Sequence, residues 1–381
     1  MKLLELINRN KKIIQINLIL LILFILLPPF LLVAIEKKKF FSNHKSEYFV
    51  YQDKEKSRKI FSEINKTSSE YKSFVGWRRQ AINSEYTNIN EKYKTRYSTG
   101  QKIYNSNWFF GGSTMWGYGS SDYGTIPSIF NKETGLNVYN FGETGWTSHQ
   151  SLNQLITVIG DGYKPKNVIF YDGVNDIYHQ CFSETDLSDI PKHSREKRII
   201  NAIKNSSNPF FFLNYVAQFL VKPYKNLLEN HFTRDYQKIE SAYDCHTNKE
   251  KAKKIAGHLV NNWYSAYIIS LNNSAKFYYV LQPTLFTAQS NYDYFIDEDK
   301  KFLEILKKQF DVVYPLIIKE INIRCLNNPK FCSSFINGTE WLNEGDQVFL
   351  DFNHVTQKGN EIIAKELISE IQSIEIKNKK F

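Results

Sequence analysis

Three residues of this chain have the types and the spacing that acyl transfer needs. Ser113 stands in the run Gly111-Gly112-Ser113-Thr114, and Asp351 precedes His354 by three positions in Asp351-Phe352-Asn353-His354. A serine hydroxyl is a weak nucleophile until a base takes its proton, and an imidazole oriented by a carboxylate is the usual base. An Asp three residues before a His can present both side chains on one side of a turn or helix start, which would fix the histidine tautomer. The tetrahedral intermediate also needs hydrogen-bond donors, each worth roughly 3–4 kcal/mol. The candidates are the N–H of Ser113, the N–H of Gly145 in Gly142-Glu143-Thr144-Gly145-Trp146-Thr147, and the amide of Asn175 in Gly173-Val174-Asn175-Asp176. Glycine lets the backbone approach a reacting oxygen, and asparagine donates without bringing charge.

These residues need a scaffold, and the hydrophobic pattern supplies one. Short apolar runs at 108–110, 137–141 and 167–171 each end in glycine, as strands of a parallel sheet do where their loops converge on a ligand. Leu152, Leu155, Ile156 and Ile159 recur at helical spacing between the second and third runs. After an interruption, a helix carrying Ile255, Leu259, Trp263 and Tyr267 leads to a fourth strand, 277–281. Helices over about 299–322 and 357–374 complete the pattern, the last with Ile362, Ile363, Leu367 and Ile371 facing inward. The alternation predicts an α/β domain with a parallel sheet covered by helices.

The four polar blocks, in this order, resemble the SGNH/GDSL hydrolase family, whose defining residues match Ser113, Gly145, Asn175 and His354. The resemblance also implies the Asp three residues before the histidine, met by Asp351, and a G-x-N-D block, met by Gly173 to Asp176. It covers about 105–375 and implies a flavodoxin-like three-layer α/β/α domain that hydrolyses esters through an acyl-enzyme on Ser113, without metal or cofactor. The first block departs from G-D-S-L, since Gly112 and Thr114 flank the serine, and is similar to the variant in bacterial surface-carbohydrate esterases. That likeness points to O-acetyl groups of a polysaccharide. The G-x-S-x-G elbow of ordinary α/β-hydrolases is not met, because Met115 replaces its second glycine. Taken singly, Ser113 and His354 also read as helix caps and Asn175 as a turn residue. Two other functions fit the same residues: an O-acyltransferase, and a carbohydrate-binding protein that has kept the scaffold.

Trp116, Tyr118, Trp146 and Tyr178 flank the blocks and could stack on a sugar or an acyl chain, or pack in the core. His149 and His179 lie near the second and third blocks, where an exposed loop position and a substrate contact are both open.

Outside the domain, residues 13–35 hold 23 positions without a charge, long enough to cross a bilayer and too bulky at their end for a cleavage site. They predict a transmembrane anchor after a tail of 1–12. Basic residues balance on its two sides, so the exported orientation rests on the ease with which long domains translocate. Residues 36 to about 70 read as a stalk, and those up to 104 as an edge segment of short strands or loops. A polar, basic insertion at about 178–250 holds the apolar run 210–221, too short to span, which reads as a buried helix of a cap or as a lid. The net charge of +10 is spread along the chain without a nucleic-acid-binding motif and describes a lysine-rich surface. Cys181, Cys245, Cys325 and Cys332 form no C-x-x-C pair, which argues against zinc. They permit two disulfides or four free thiols, with Cys325 and Cys332 the easier local pair.

Overall fold

The computed structural model describes residues 11, 13, 15–21, 50–185, 187, 240–288, 295, 297–343 and 347–379. One compact unit comprises 46–197 and 236–381; the other, 1–45 with 198–235, lies almost wholly outside the described residues. Of the expected anchor, residues 13 and 15–21 are helical and the remainder lies outside the described set, as does the run 210–221. No described helix is long and apolar enough to cross a membrane.

The larger unit begins with helix α1 (Lys54–Lys66), started by the Asp53 carboxylate, which accepts the Lys56 N–H. Ile60, Phe61 and Ile64 of α1 are buried, and Phe61 packs edge-on against Tyr118 with ring centroids 5.6 Å apart. From residue 50 onward the segment expected as a helical or partly extended stalk is largely helical, and its apolar residues fall on one helical face that packs on the domain. Strands β1 (Ser69–Lys72) and β2 (Gly76–Arg79) then form an antiparallel hairpin.

The central sheet has five parallel strands: β3 (Asn107–Gly111), β4 (Val138–Asn140), β5 (Asn167–Asp172), β6 (Lys276–Leu281) and β7 (Phe335–Asn337). Their order is β4-β3-β5-β6-β7, the flavodoxin-like arrangement. Side chains alternate between two apolar clusters, as the period of two requires. Trp108, Phe110, Val168, Phe170, Phe277 and Tyr279 point to one face, and Phe109, Ile169, Tyr171, Tyr278 and Val280 to the other.

Helices cover both faces. The short α2 (Ser113–Trp116) follows β3, and α3 (Ile126–Thr134) is capped by Thr125, has Pro127 in its first turn and ends at Gly135. Helix α4 (Ser148–Gly160) starts with a capping box in which Thr147 and Gln150 satisfy each other's backbone N–H. Helix α5 (Val174–Gln180) follows β5, and α6 (Lys249–Asn272), α7 (Asp297–Asn327), the single turn α8 (Pro329–Cys332) and α9 (Gln357–Lys379) complete the set. Buried residues of α4, α6 and most of α7 join the first cluster, and those of α3 and α9, with Leu303 of α7, the second. Much of the high aromatic content is spent here: Phe110 stacks on Phe141 at 4.9 Å and Tyr279 on Phe331 at 4.5 Å.

All four cysteines are oxidised, Cys181 to Cys245 and Cys325 to Cys332. The first bond joins the end of α5 to the residues before α6, so it clips together the two ends of the insertion. Beside it, Phe182 and Tyr243 form an antiparallel bridge.

Candidate active site

The topological switch of the sheet lies at β3, where the chain turns to β4 on one side and β5 on the other. Ser113 follows β3 and Asn175 follows β5, so both stand at strand ends that adjoin in the sheet. Ser113 occupies the first position of α2 and is buried.

The histidine arrives on a turn that its own aspartate builds. Asp351 Oδ1 accepts the backbone N–H groups of Asn353 at 2.9 Å and His354 at 2.8 Å. The turn is closed by the Leu350 N–H donating to the His354 carbonyl at 2.8 Å. This leaves Asp351 Oδ2 free to meet His354 Nδ1 at 2.5 Å. The carboxylate assigns the imidazole proton to Nδ1, so Nε2 accepts from the Ser113 hydroxyl, 2.6 Å away. Packing around the Asp351 carboxyl opposes its charge, but His354 and the two backbone donors outweigh that and hold it below the usual carboxylate range. Tyr118 lies against the imidazole, ring centroids 4.5 Å apart.

Two residues that motif reading passed over tie this turn to Ser113. The Thr114 hydroxyl donates to the Asn353 carbonyl at 3.2 Å, and the Asn353 amide lies 3.4 Å from the Thr114 hydroxyl. They bridge chain positions 239 apart. Their signal was adjacency to Ser113 and His354, which alone does not separate a bridging residue from a spacer.

The Asn175 amide donates to the Trp146 carbonyl at 2.8 Å. It lies so close to Gly112 that a Cβ there would come within 2.3 Å of Asn175 Nδ2. Glycine before the serine is thus required by the approach of this amide. Gly145 takes φ +75°, a left-handed conformation that other residues resist, and a Cβ on it would lie 3.7 Å from His179 Nε2. His179 and Asn175 sit one helical turn apart on α5, both toward the 145–146 loop. The structure thus bonds Ser113, His354 and Asp351 directly and brings Asn175 beside Gly112. Gly145 lies in the loop that receives the asparagine.

Two of the aromatic candidates take the core-packing alternative. Trp116 is fully buried, with Arg79 and Arg96 lying over its ring at 4.8 and 4.3 Å, so it has no face for a ligand. Trp146 is equally enclosed: Arg78 covers its ring at 4.5 Å, and its indole N–H donates to the Trp77 carbonyl at 2.9 Å. Both are core tryptophans because arginines of the preceding segment cover them. Tyr178 is half-buried and stacks on Phe352, next to Asn353, at 5.3 Å. His149 is half-buried beside Asn262, and burial lowers its pKa, with the hydrogen bond to Asn262 acting in the opposite direction.

Beneath Asn175 lies a buried acidic pair. Asp176 accepts the Ser148 hydroxyl at 2.6 Å and the Ser148 N–H at 3.1 Å, which ties the start of α4 to α5. Burial pushes the Asp176 carboxyl up to about 6 against the pull of those bonds. Asp172 accepts the Trp263 indole N–H at 3.2 Å and is also raised well above its ordinary value, by burial and by the charge of Asp176. Among the described residues no group of three or more His, Cys, Asp or Glu is arranged to hold a metal ion.

A sequence model of the family described as GDSL-like Lipase/Acylhydrolase matches residues 108–367, more than half of the chain, and the chain belongs to that family. No curated protein sequence matches it. Solved structures similar to it include a GDSL-like lipase from Bacteroides thetaiotaomicron, 14% identical, with a TM-score of 0.36 over 71% of this chain and 87% of that one. A putative lipolytic G-D-S-L protein from Desulfitobacterium hafniense is 10% identical, with a TM-score of 0.34 over 70% and 99%. A carbohydrate acetylesterase family member from Sinorhizobium meliloti is 13% identical, with a TM-score of 0.35 over 71% and 98%.

Proposed function

We propose that this chain is a membrane-anchored serine esterase that works through an acyl-enzyme on Ser113 and removes O-acetyl groups from a polysaccharide outside the cytoplasm. The observation that carries the chemistry is the continuous relay from Asp351 through His354 to Ser113, with contacts of 2.5 and 2.6 Å. Ser113 Oγ attacks the ester carbonyl while its proton passes to His354 Nε2, and Asp351 stabilises the imidazolium that results. The oxyanion accepts from the N–H groups of Ser113 and Gly145 and from the Asn175 amide. One hydrogen of that amide is committed to the Trp146 carbonyl, and the second remains for the oxyanion. His354 then protonates the departing alcohol, and water, deprotonated by the same imidazole, releases the acid.

The acetyl and polysaccharide assignments rest on the likeness of the first block to surface-carbohydrate esterases. The exported side is supported by the two disulfides, which persist in oxidising compartments, and the anchor by the uncharged run 13–35.

The test is labelling with a fluorophosphonate and turnover of p-nitrophenyl acetate, comparing the wild type with Ser113→Ala. We expect both to vanish in the folded variant, a loss of at least ~10³-fold in turnover. Turnover retained by Ser113→Ala, or a folded wild type that neither labels nor turns over, would sink this reading.

A further inference from the structure

The hairpin β1–β2 lies before the first residue matched by the family model, at 108, yet its side chains reach the loop that carries Gly145. Glu143, two residues before that glycine, is 1% exposed. Its Oε1 accepts the Thr144 N–H at 2.7 Å, which shapes the loop from within. Its Oε2 accepts the Arg79 backbone N–H at 3.0 Å and lies 3.6 Å from Arg78 Nε, while Arg79 Nε lies 3.9 Å from Oε1. A buried carboxylate is tolerated only when paired and hydrogen-bonded, and among the described residues every partner of this one outside the loop itself comes from β2.

Trp146, on the other side of Gly145, is held by the same strand. Arg78 covers its ring, the Trp77 carbonyl takes its indole N–H, and the Arg78 guanidinium also donates to the Phe141 carbonyl at 3.3 Å and to Gln154 Oε1 at 2.8 Å. The backbone carbonyl of Trp146 is the acceptor that orients the Asn175 amide.

We propose that Arg78 and Arg79 are positioning residues of the site: they fix Glu143 and Trp146, and through these the Gly145 N–H and the Asn175 amide, relative to Ser113. The hairpin is thus a working part of the active site and not a spacer toward the anchor. The proposal rests on the oxyanion roles given to Gly145 and Asn175 above.

The experiment uses the full-length protein and p-nitrophenyl acetate, with wild-type, Ser113-dependent turnover established first. Arg78→Met removes the charge and the donors, Arg78→Lys restores the charge, and Glu143→Gln keeps the shape of the loop residue should Arg78→Met fail to fold. We expect kcat in Arg78→Met and Glu143→Gln to fall about tenfold or more, with KM within about twofold, since oxyanion donors act on the transition state. Arg78→Lys should recover part of that loss. The double variant with Asn175→Ala should lose less than the product of the single losses, because both act through one amide.

A folded Glu143→Gln with wild-type kcat would overturn the proposal, as would fully multiplicative losses with Asn175→Ala. Absence of Ser113-dependent turnover in the wild type would instead overturn the esterase reading, and this proposal with it.

Discussion

Two segments bring polar groups to Ser113, and they are built on opposite principles. The turn 350–355 keeps Asp351 at the surface, its side chain 40% exposed, and spends one carboxylate oxygen on two backbone donors and the other on His354. Helix α5 carries Asn175 with Asp176 sealed beneath it, and Asp172 sealed at the end of the preceding strand. The first carboxyl is held ionised below its ordinary range, and the two others are driven above it by burial. The same side chain therefore supplies a permanent charge in one place and an uncharged or reluctantly charged anchor in the other. Distance from Ser113 does not decide this; burial opposes the charge of all three, and only for Asp351 do a facing imidazole and backbone donors outweigh it.

The sharpest way to break the comparison is to remove the charge of Asp351 while keeping its shape. Asp351→Asn leaves its oxygen for the turn and turns its NH2 toward His354 Nδ1, which then accepts, favouring the tautomer protonated at Nε2. Turnover should drop by about 10²–10⁴-fold while fluorescence-monitored unfolding stays near wild type. A variant within tenfold of wild type would show that the carboxylate only closes the turn. Asp351 also gives the turn an acid limit. Its contribution to stability is present above the unfolded value of 3.8 and is lost as pH falls through its lower folded value.

The second segment depends on a covalent clip where the first uses hydrogen bonds. Cys181 caps the C-terminus of α5 and is bonded to Cys245, 64 residues on. Replacing both cysteines by alanine should cost about 2–4 kcal/mol of stability, measured by urea unfolding. Since α5 carries Asn175 and not the relay, kcat should change far less than in Asp351→Asn. A cysteine variant as inactive as Asp351→Asn would mean that the relay also depends on α5.

The contrast tracks how much could be read in advance. Ser113, Asp351 and His354, the blocks that carry Gly145 and Asn175, and four of the five parallel strands were legible because each is written locally, in residue types at fixed spacing or in a short apolar run closed by glycine or, for β6, by Gln282-Pro283. β7 was not, since Phe335–Asn337 is three residues long and takes its identity from pairing with β6. Nor was the burial of Trp116 and Trp146, because the arginines that cover them come from Arg78, Arg79 and Arg96, up to 68 positions earlier. A tryptophan beside a catalytic loop looks the same in sequence whether its face is open or occupied. The pairing of Cys181 with Cys245 was hidden for a similar reason, as the fold closes that loop and proximity along the chain favoured only Cys325 with Cys332.

The smallest effect concerns the buried pair itself, and its sign is the test. A carboxyl raised above its unfolded value of 3.8 gives stability that is complete below that pH and is lost as pH rises through the folded value, about 6 for Asp176 and well above 3.8 for Asp172. Stability should therefore decline between pH 4 and 7, opposite to the trend set by Asp351 at lower pH. Asp172→Asn removes one of the two raised groups. Its amide oxygen can still accept from the Trp263 indole, and its NH2 can donate to the Ser151 hydroxyl, 3.5 Å from the carboxylate in the wild type. Urea unfolding at pH 4 and pH 7 should show the variant close to wild type in acid and more stable than wild type at neutrality. Equal effects at both pH values would mean that Asp172 is ionised in the folded protein, and the difference between the two segments would then lie in packing alone.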